Sequence, residues 1–267
     1  MDQPLVCIDT ETATMQGAPH LLELGAVRII DGEIEDTFES LVCPVVPIEA
    51  GTSAIHGITD RNVMSAPFAK QVLAEFKEWV GDDTMAAHNA PFDARVLGFE
   101  YKRAGLEPAP GAFLDSLPLS RRWIPESPDH KLLTLCQMLD LDEGRHHRAL
   151  SDAVWCWKVI EECLHRAEDS GQDPLAEAIY AVRHPLTIAS RAPERAKMSP
   201  RLRPIEAAMR GERPVQLMYG EAHTYPIEVH PRMLYQSHAK GYLEAECPKT
   251  GELRTYLLSK VRKAIPL

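Results

Sequence analysis

With 267 residues, 45% of them hydrophobic and 25% charged, the chain has room for one large domain or two modest ones. Its composition is that of an ordinary globular protein, and no stretch approaches the length of a membrane span. The start, MDQPLVCIDTET, carries acids where a leader peptide would carry a basic stretch. Six scattered cysteines form no Cys-x-x-Cys pair, so a reduced, cytoplasmic setting is expected.

The net charge of −10 is unevenly divided. Residues 1–182 hold 14 Lys and Arg against 31 Asp and Glu, whereas residues 183–267 hold 15 against 8. An acidic front suits a site that gathers carboxylates around metal, and a basic back suits phosphate contacts.

In chain order, Leu5-Val6-Cys7-Ile8 is an apolar run that turns acidic at Asp9, as a buried strand delivering residues to a sheet edge would. The runs 20–30 and 33–43 are strand-like and are joined by Asp31-Gly32, a hairpin signal. Apolar residues at helical spacing over 68–80 predict an amphipathic helix, and 84–89 reads as a short buried strand. Pro91 opens a helix that stops at Gly105. A strand-like piece at 112–117 precedes an expected helix at 131–141. The last helix of this part starts near Ala149, with Leu150, Ala153, Val154, Trp157, Ile160 and Leu164 as its apolar stripe. Residues 166–200, rich in proline and arginine, read as a connector with one helix expected around 176–184. Short strand-like runs beyond it predict a small β-barrel-like domain over 201–267.

Asp9 and Glu11 stand two apart at a strand end, so both point to one face. Converging carboxylates repel one another unless a cation lies between them, and Mg²⁺ or Mn²⁺ prefers oxygen ligands. A lone pair of this kind is usually just solvated, but this pair has company. His88-Asn89-Ala90-Pro91-Phe92-Asp93 places a third acid in the first turn of a helix. His147-Arg148-Ala149-Leu150-Ser151-Asp152 places a histidine before another helix and a fourth acid inside it.

In order and spacing these elements, with Ile55-His56-Gly57-Ile58-Thr59 between the first two, make residues 4–165 resemble the DnaQ-like exonucleases of the DEDDh type. The layout is close to that of exonuclease X and of the proofreading subunit of replicative DNA polymerase. One departure is Ala13-Thr14 after Thr12, where the family usually soon has a glycine. The resemblance implies an α/β fold with a ribonuclease H-like mixed sheet flanked by helices over 1–165. It also implies 3′–5′ hydrolysis of single-stranded DNA or RNA with release of 5′-mononucleotides, using two divalent ions, Mg²⁺ or Mn²⁺. Asp9, Glu11 and Asp152 would hold metal, Asp93 would complete the site, and His147 would be the general base. Thr12, His56, Asn89 and Phe92 would line the pocket for the terminal nucleotides. The residues alone leave alternatives: a helix cap for Asn89 and a core aromatic for Phe92. Cys156, Cys163 and His165 lack zinc spacing and read as helix packing, and His146 as surface.

Residues 203–265 resemble a WYL domain through Tyr219, Pro231, Leu234, Gly241-Tyr242-Leu243 and Gly251-Glu252-Leu253-Arg254. Gly241 stands in place of the family's tryptophan and Lys260 in place of a common arginine. The resemblance implies a module that binds ligand or nucleic acid, with Tyr242 and Arg254 as candidates. A purely structural β domain is the alternative. For the whole chain, the alternative to an exonuclease is a nucleic-acid-binding regulator that uses the nuclease fold as a scaffold. A small-oligoribonucleotide hydrolase is a second alternative, within enzymes.

Overall fold

A computed structural model describes residues 3–15, 17–141, 147–174, 185–220 and 225–267. The helix expected around 176–184 and His146 lie outside those residues. The chain divides into two compact units, Met1–Ala192 and Pro193–Leu267.

The first unit is built on a sheet of six strands: β1 (Leu5–Thr12), β2 (Leu21–Ile30), β3 (Glu33–Leu41), β4 (Thr84–Ala87), β5 (Ala112–Asp115) and β6 (Leu186–Thr187). Their order is β3-β2-β1-β4-β5-β6. β1 pairs antiparallel with β2 and parallel with β4, so the sheet is mixed, as expected for a ribonuclease H-like fold. Asp31 and Gly32 both take positive φ, and Ile30 pairs with Glu33 across them, so the expected hairpin closes in two residues. Leu186–Thr187, within the stretch expected as connector, instead adds an antiparallel edge strand to β5.

Helices cover both faces. α1 (Ala50–His56), α2 (Asp60–Val63), α3 (Ala69–Val80), α4 (Pro91–Ala104), α5 (Ser116–Trp123), α6 (Leu132–Met138), α7 (Ala149–Asp169) and α8 (Ile188–Arg191) follow in chain order. The alternation of β1 sorts its residues. Val6 and Ile8 enter the core that includes Val72, Leu73 and Phe76 of α3 and Leu97 of α4. Leu5 and Cys7 enter the core that includes Ala153, Cys156, Trp157 and Ile160 of α7. Asp9 and Glu11 continue the second set, so they emerge on the face that carries α7, while Thr10 falls on the face that carries α4. The short helices α1, α2 and α5 were not expected from the sequence.

The second unit is an antiparallel sheet ordered β10-β9-β8-β7-β11, formed by β7 (Val215–Tyr219), β8 (Tyr225–Ser237), β9 (Lys240–Glu246), β10 (Leu253–Leu257) and β11 (Val261–Pro266). The long β8 shifts register between Pro231 and Met233, letting it pair with β7 along one half and β9 along the other. Helix α9 (Arg203–Arg210) contributes Ile205 and Ala208 to a core shared with Val215, Leu217, Leu234 and Leu243.

Candidate active site

The C-terminal end of β1 brings Asp9 and Glu11, both half-buried, to the N-terminus of α7, where His147 and Asp152 sit. Glu11, His147 and Asp152 each offer a ligand atom within 4.8 Å of the others. Asp93 is buried in the first turn of α4, and its Oδ1 accepts a 2.7 Å hydrogen bond from the Thr10 hydroxyl. Of the expected acids and histidine, Glu11, His147 and Asp152 thus meet at the C-terminal end of β1, and Asp9 feels the charges of Asp93, Asp152 and Glu11.

Their electrostatics are those of a crowded anionic pocket. Burial, then the charges of Asp93, Asp152 and Glu11, hold the Asp9 carboxyl well above the usual range. Burial, then Asp152 and Glu23, push Glu11 up to about 8. Burial pushes Asp93 up to about 7, against the Thr10 hydrogen bond that pulls it down. Asp152 also rises to about 7, chiefly from burial, and the backbone of His147 opposes the rise. Desolvated acids of like charge lower their energy by taking protons or a cation. The Oδ1 of Asp152 is buried and has no hydrogen-bond partner. An oxygen so placed, beside Glu11 and His147, fits a hard divalent ion as ligand.

The expected substrate residues are distributed around this centre. Thr12 is buried at the end of β1 and donates its hydroxyl to the Thr14 carbonyl at 3.1 Å. His56 is buried, its Nδ1 accepting from the Ile58 N–H at 3.0 Å, and burial lowers its pKa. Phe92 is 42% exposed, which removes the core-aromatic alternative. The cap alternative for Asn89 also fails. α4 is capped at Ala90, whereas Asn89 takes a left-handed φ of 68° and donates its N–H to Asp115 Oδ1 at 3.0 Å. Cys156 and Cys163 are buried as expected, whereas His165 is exposed rather than part of the helix packing.

In the second unit, the ring of Tyr242 stacks on Tyr235 with centroids 5.2 Å apart. Arg254 is largely exposed and bonds Glu252 at 2.7 Å. The register pairs Arg254 with Ala245 and Leu257 with Tyr242, so Arg254 and Tyr242 lie on opposite faces of the sheet. They are not brought together as one ligand site.

Several residues at the centre were missed. Glu23 on β2 is fully buried and faces Glu11 across the β1–β2 pair. It accepts from Arg148 Nε at 3.0 and 3.1 Å, from Arg148 Nη2 at 2.5 Å and from the Ala149 N–H at 3.0 Å. A charged residue in the otherwise apolar run Leu21-Leu22-Glu23-Leu24 was the available signal, since a fully buried carboxylate requires a partner.

Residues 6–160 match the family model described as an exonuclease of the RNase T type. The chain is a DnaQ-like exonuclease. Residues 200–266 match the WYL domain model, which gives this exonuclease a C-terminal WYL domain. A PolC-type DNA polymerase III from Bacillus cereus is 39% identical over 171 residues, covering 64% of the exonuclease chain. That alignment spans only 12% of the polymerase, and the alignment with the Bacillus subtilis enzyme, at 36% identity, likewise spans 12%. Exonuclease X, solved in complex with 5′ overhanging duplex DNA, is 29% identical with a TM-score of 0.51, covering 66% of this chain and 99% of its own. The nuclease domain of 3′hExo bound to rAMP, a DEDDh family member, shares the fold. Its TM-score is 0.54 at 20% identity, covering 63% of this chain and 93% of its own. Exonucleases of this kind use divalent metal ions. Among the described residues no helix is long and apolar enough to cross a membrane.

Proposed function

We propose that this exonuclease is of the DEDDh type and trims single-stranded DNA or RNA from the 3′ end, releasing 5′-mononucleotides. The observation that carries the reading is the meeting of Glu11, His147 and Asp152, with a buried, unpartnered Oδ1 on Asp152 and the charge of Asp9 close by. Two divalent ions, Mg²⁺ or Mn²⁺, would supply activation of water and charge neutralisation at the phosphate. Asp9, Glu11 and Asp152 would hold them, and Asp93 would complete the set.

His147 stands on the turn before α7 and takes the proton from the attacking water at a ring nitrogen. Phe92, exposed beside Asp93, offers a ring for stacking the terminal base, and Thr12, His56 and Asn89 would line the rest of the pocket. The relative solved with duplex DNA supports a nucleic-acid end as substrate. The basic C-terminal unit would bind the strand through phosphate contacts such as Arg254, while Tyr242, on the other face of the sheet, would be structural. The six free cysteines of the whole chain support a reducing, cytoplasmic setting. Digestion of labelled oligonucleotides with Mg²⁺, Mn²⁺ or EDTA tests the reading. Metal-dependent release of 5′-mononucleotides is expected, and internal cleavage or metal-independent turnover would overturn it.

A further inference from the structure

Glu23 presents a puzzle of placement. Its carboxylate is fully buried, and its charge helps to raise both Glu11 and Asp152. For stability alone an apolar residue would serve this strand better. What the carboxylate does instead is gather the chain around His147. Its oxygens take the Arg148 guanidinium as a fork and the N–H of Ala149, the first residue of α7. That N–H is one of the donors a helix leaves unpaired at its start, and the capping residue Arg148 offers no side-chain cap of its own. Glu23 is thus a cap supplied from the sheet, with its negative charge at the positive end of a 21-residue helix.

The residue just before this clamp is His147, and its φ is 59°, a left-handed conformation that L residues adopt at a cost and keep only when the surroundings fix it. On its C-terminal side the fixing contacts are those of Arg148 and Ala149 with Glu23. Arg148 also reaches Glu39 of β3 at 3.5 Å, so the guanidinium is held between two strands of the sheet.

We propose that Glu23, acting through Arg148, is a positioning residue that holds the His147 turn in its working geometry. This rests on the reading of His147 as the group that takes the proton from water. It predicts a specific signature. Loss of the clamp lowers kcat with little change in KM, because it displaces the group that takes the proton rather than one that holds the substrate, and it costs nothing further once the His147 side chain is gone.

The test uses the full chain with end-labelled oligothymidylate and oligouridylate and Mn²⁺, with kcat and KM read on the strand that is cleaved. Glu23→Gln and Arg148→Met are each expected to lower kcat by about tenfold or more, with KM within about threefold. Adding Arg148→Met to His147→Ala should lower the residual rate by less than about threefold. Arg148→Lys keeps the charge but loses the fork, and should recover part of the rate lost in Arg148→Met; it also serves if Glu23→Gln does not fold. Unchanged kcat in Glu23→Gln and Arg148→Met, or losses that multiply in the double variant, would overturn the positioning role. A wild-type chain with no hydrolysis would instead remove the exonuclease reading itself, so the two failures are distinguishable.

Discussion

The hydroxyl of Thr10 donates to Asp93 Oδ1 at 2.7 Å, joining the end of β1 to the first turn of α4 across the face opposite Asp9 and Glu11. This hydrogen bond favours the ionised form of a carboxyl that burial drives the other way. Thr10→Val removes it at nearly constant volume. The pKa of Asp93 should then climb further, and because an acid must lose its proton to serve a metal site, the acid limb of the rate–pH profile should move to higher pH. At pH 7 the rate should fall by about tenfold and recover partly by pH 8.5. A profile that superimposes on wild type would contradict this role.

The raised carboxyls also make a prediction about stability without metal. Asp152 titrates at about 7 in the folded chain, above its ordinary value of 3.8. The folded state therefore holds this proton more tightly, and its stability contribution falls as pH rises from about 4 to about 7. Asp152→Asn cannot lose a proton. In EDTA, its melting temperature should match wild type near pH 4 and exceed it by a few degrees near pH 8. Comparing variant with wild type at each pH cancels titrations that do not feel Asp152, such as that of His20, whose pKa burial lowers to about 2. Asp9 and Glu11, which the Asp152 charge raises, are relieved with it in the same direction. A variant no more stable than wild type at pH 8 would mean that Asp152 is not held against its charge.

Gly25 sets how closely α7 approaches the sheet. A Cβ there would lie 2.1 Å from the Leu150 nitrogen and 2.3 Å from the Ala149 carbonyl carbon, both backbone atoms that cannot turn aside. Gly25→Ala should cost about 2–3 kcal/mol and lift His147 and Asp152 away from Glu11, with a loss of kcat larger than the unfolded fraction explains. Gly51→Ala is the matched control. Its Cβ would meet only the sulfur of Met15, an exposed and flexible side chain, and both stability and rate should stay near wild type. Equal behaviour of the two variants would contradict close packing at Gly25.

The carboxylates and histidine of the candidate site were legible in sequence because each motif is local. Asp9 and Glu11 share a strand, Asp93 lies in the first turn of α4, and Asp152 lies in the first turn of α7, just after His147. Strand period and helix-start signals place such groups without knowledge of the partner elements. The clamp was not legible, because Glu23 and Arg148 are 125 residues apart and meet only when α7 packs on β2. β6, two residues long, and α2, four residues long, carry too little periodicity to be read, and the sheet and its neighbours define them. The cap reading of Asn89 failed because Asp115, on a different strand, takes its N–H and favours the left-handed turn. In the WYL domain, Tyr242 and Arg254 were chosen from motif likeness, and only the β9–β10 register shows them facing opposite ways.

That separation divides their predicted effects. Arg254→Ala should weaken binding to long single strands and reduce its salt dependence by about one ion, with hydrolysis of dinucleotides unchanged. Tyr242→Ala should lower stability by about 1 kcal/mol through loss of the stack on Tyr235. Fluorescence anisotropy at several salt concentrations and thermal melting separate the two. Identical salt slopes for Arg254→Ala and wild type would remove Arg254 from strand binding.

The central claim, hydrolysis from the 3′ end with His147 as base, is tested most directly by one digestion series. Single-stranded DNA and RNA labelled at the 5′ end are incubated with Mg²⁺ or Mn²⁺, with free or blocked 3′ termini, using wild type and His147→Ala. A ladder of products shortening from the 3′ end is expected, abolished by the 3′ block and by EDTA, and slowed by at least about a hundredfold in His147→Ala. Degradation that proceeds past a blocked 3′ end, or at the wild-type rate in His147→Ala, would contradict the account.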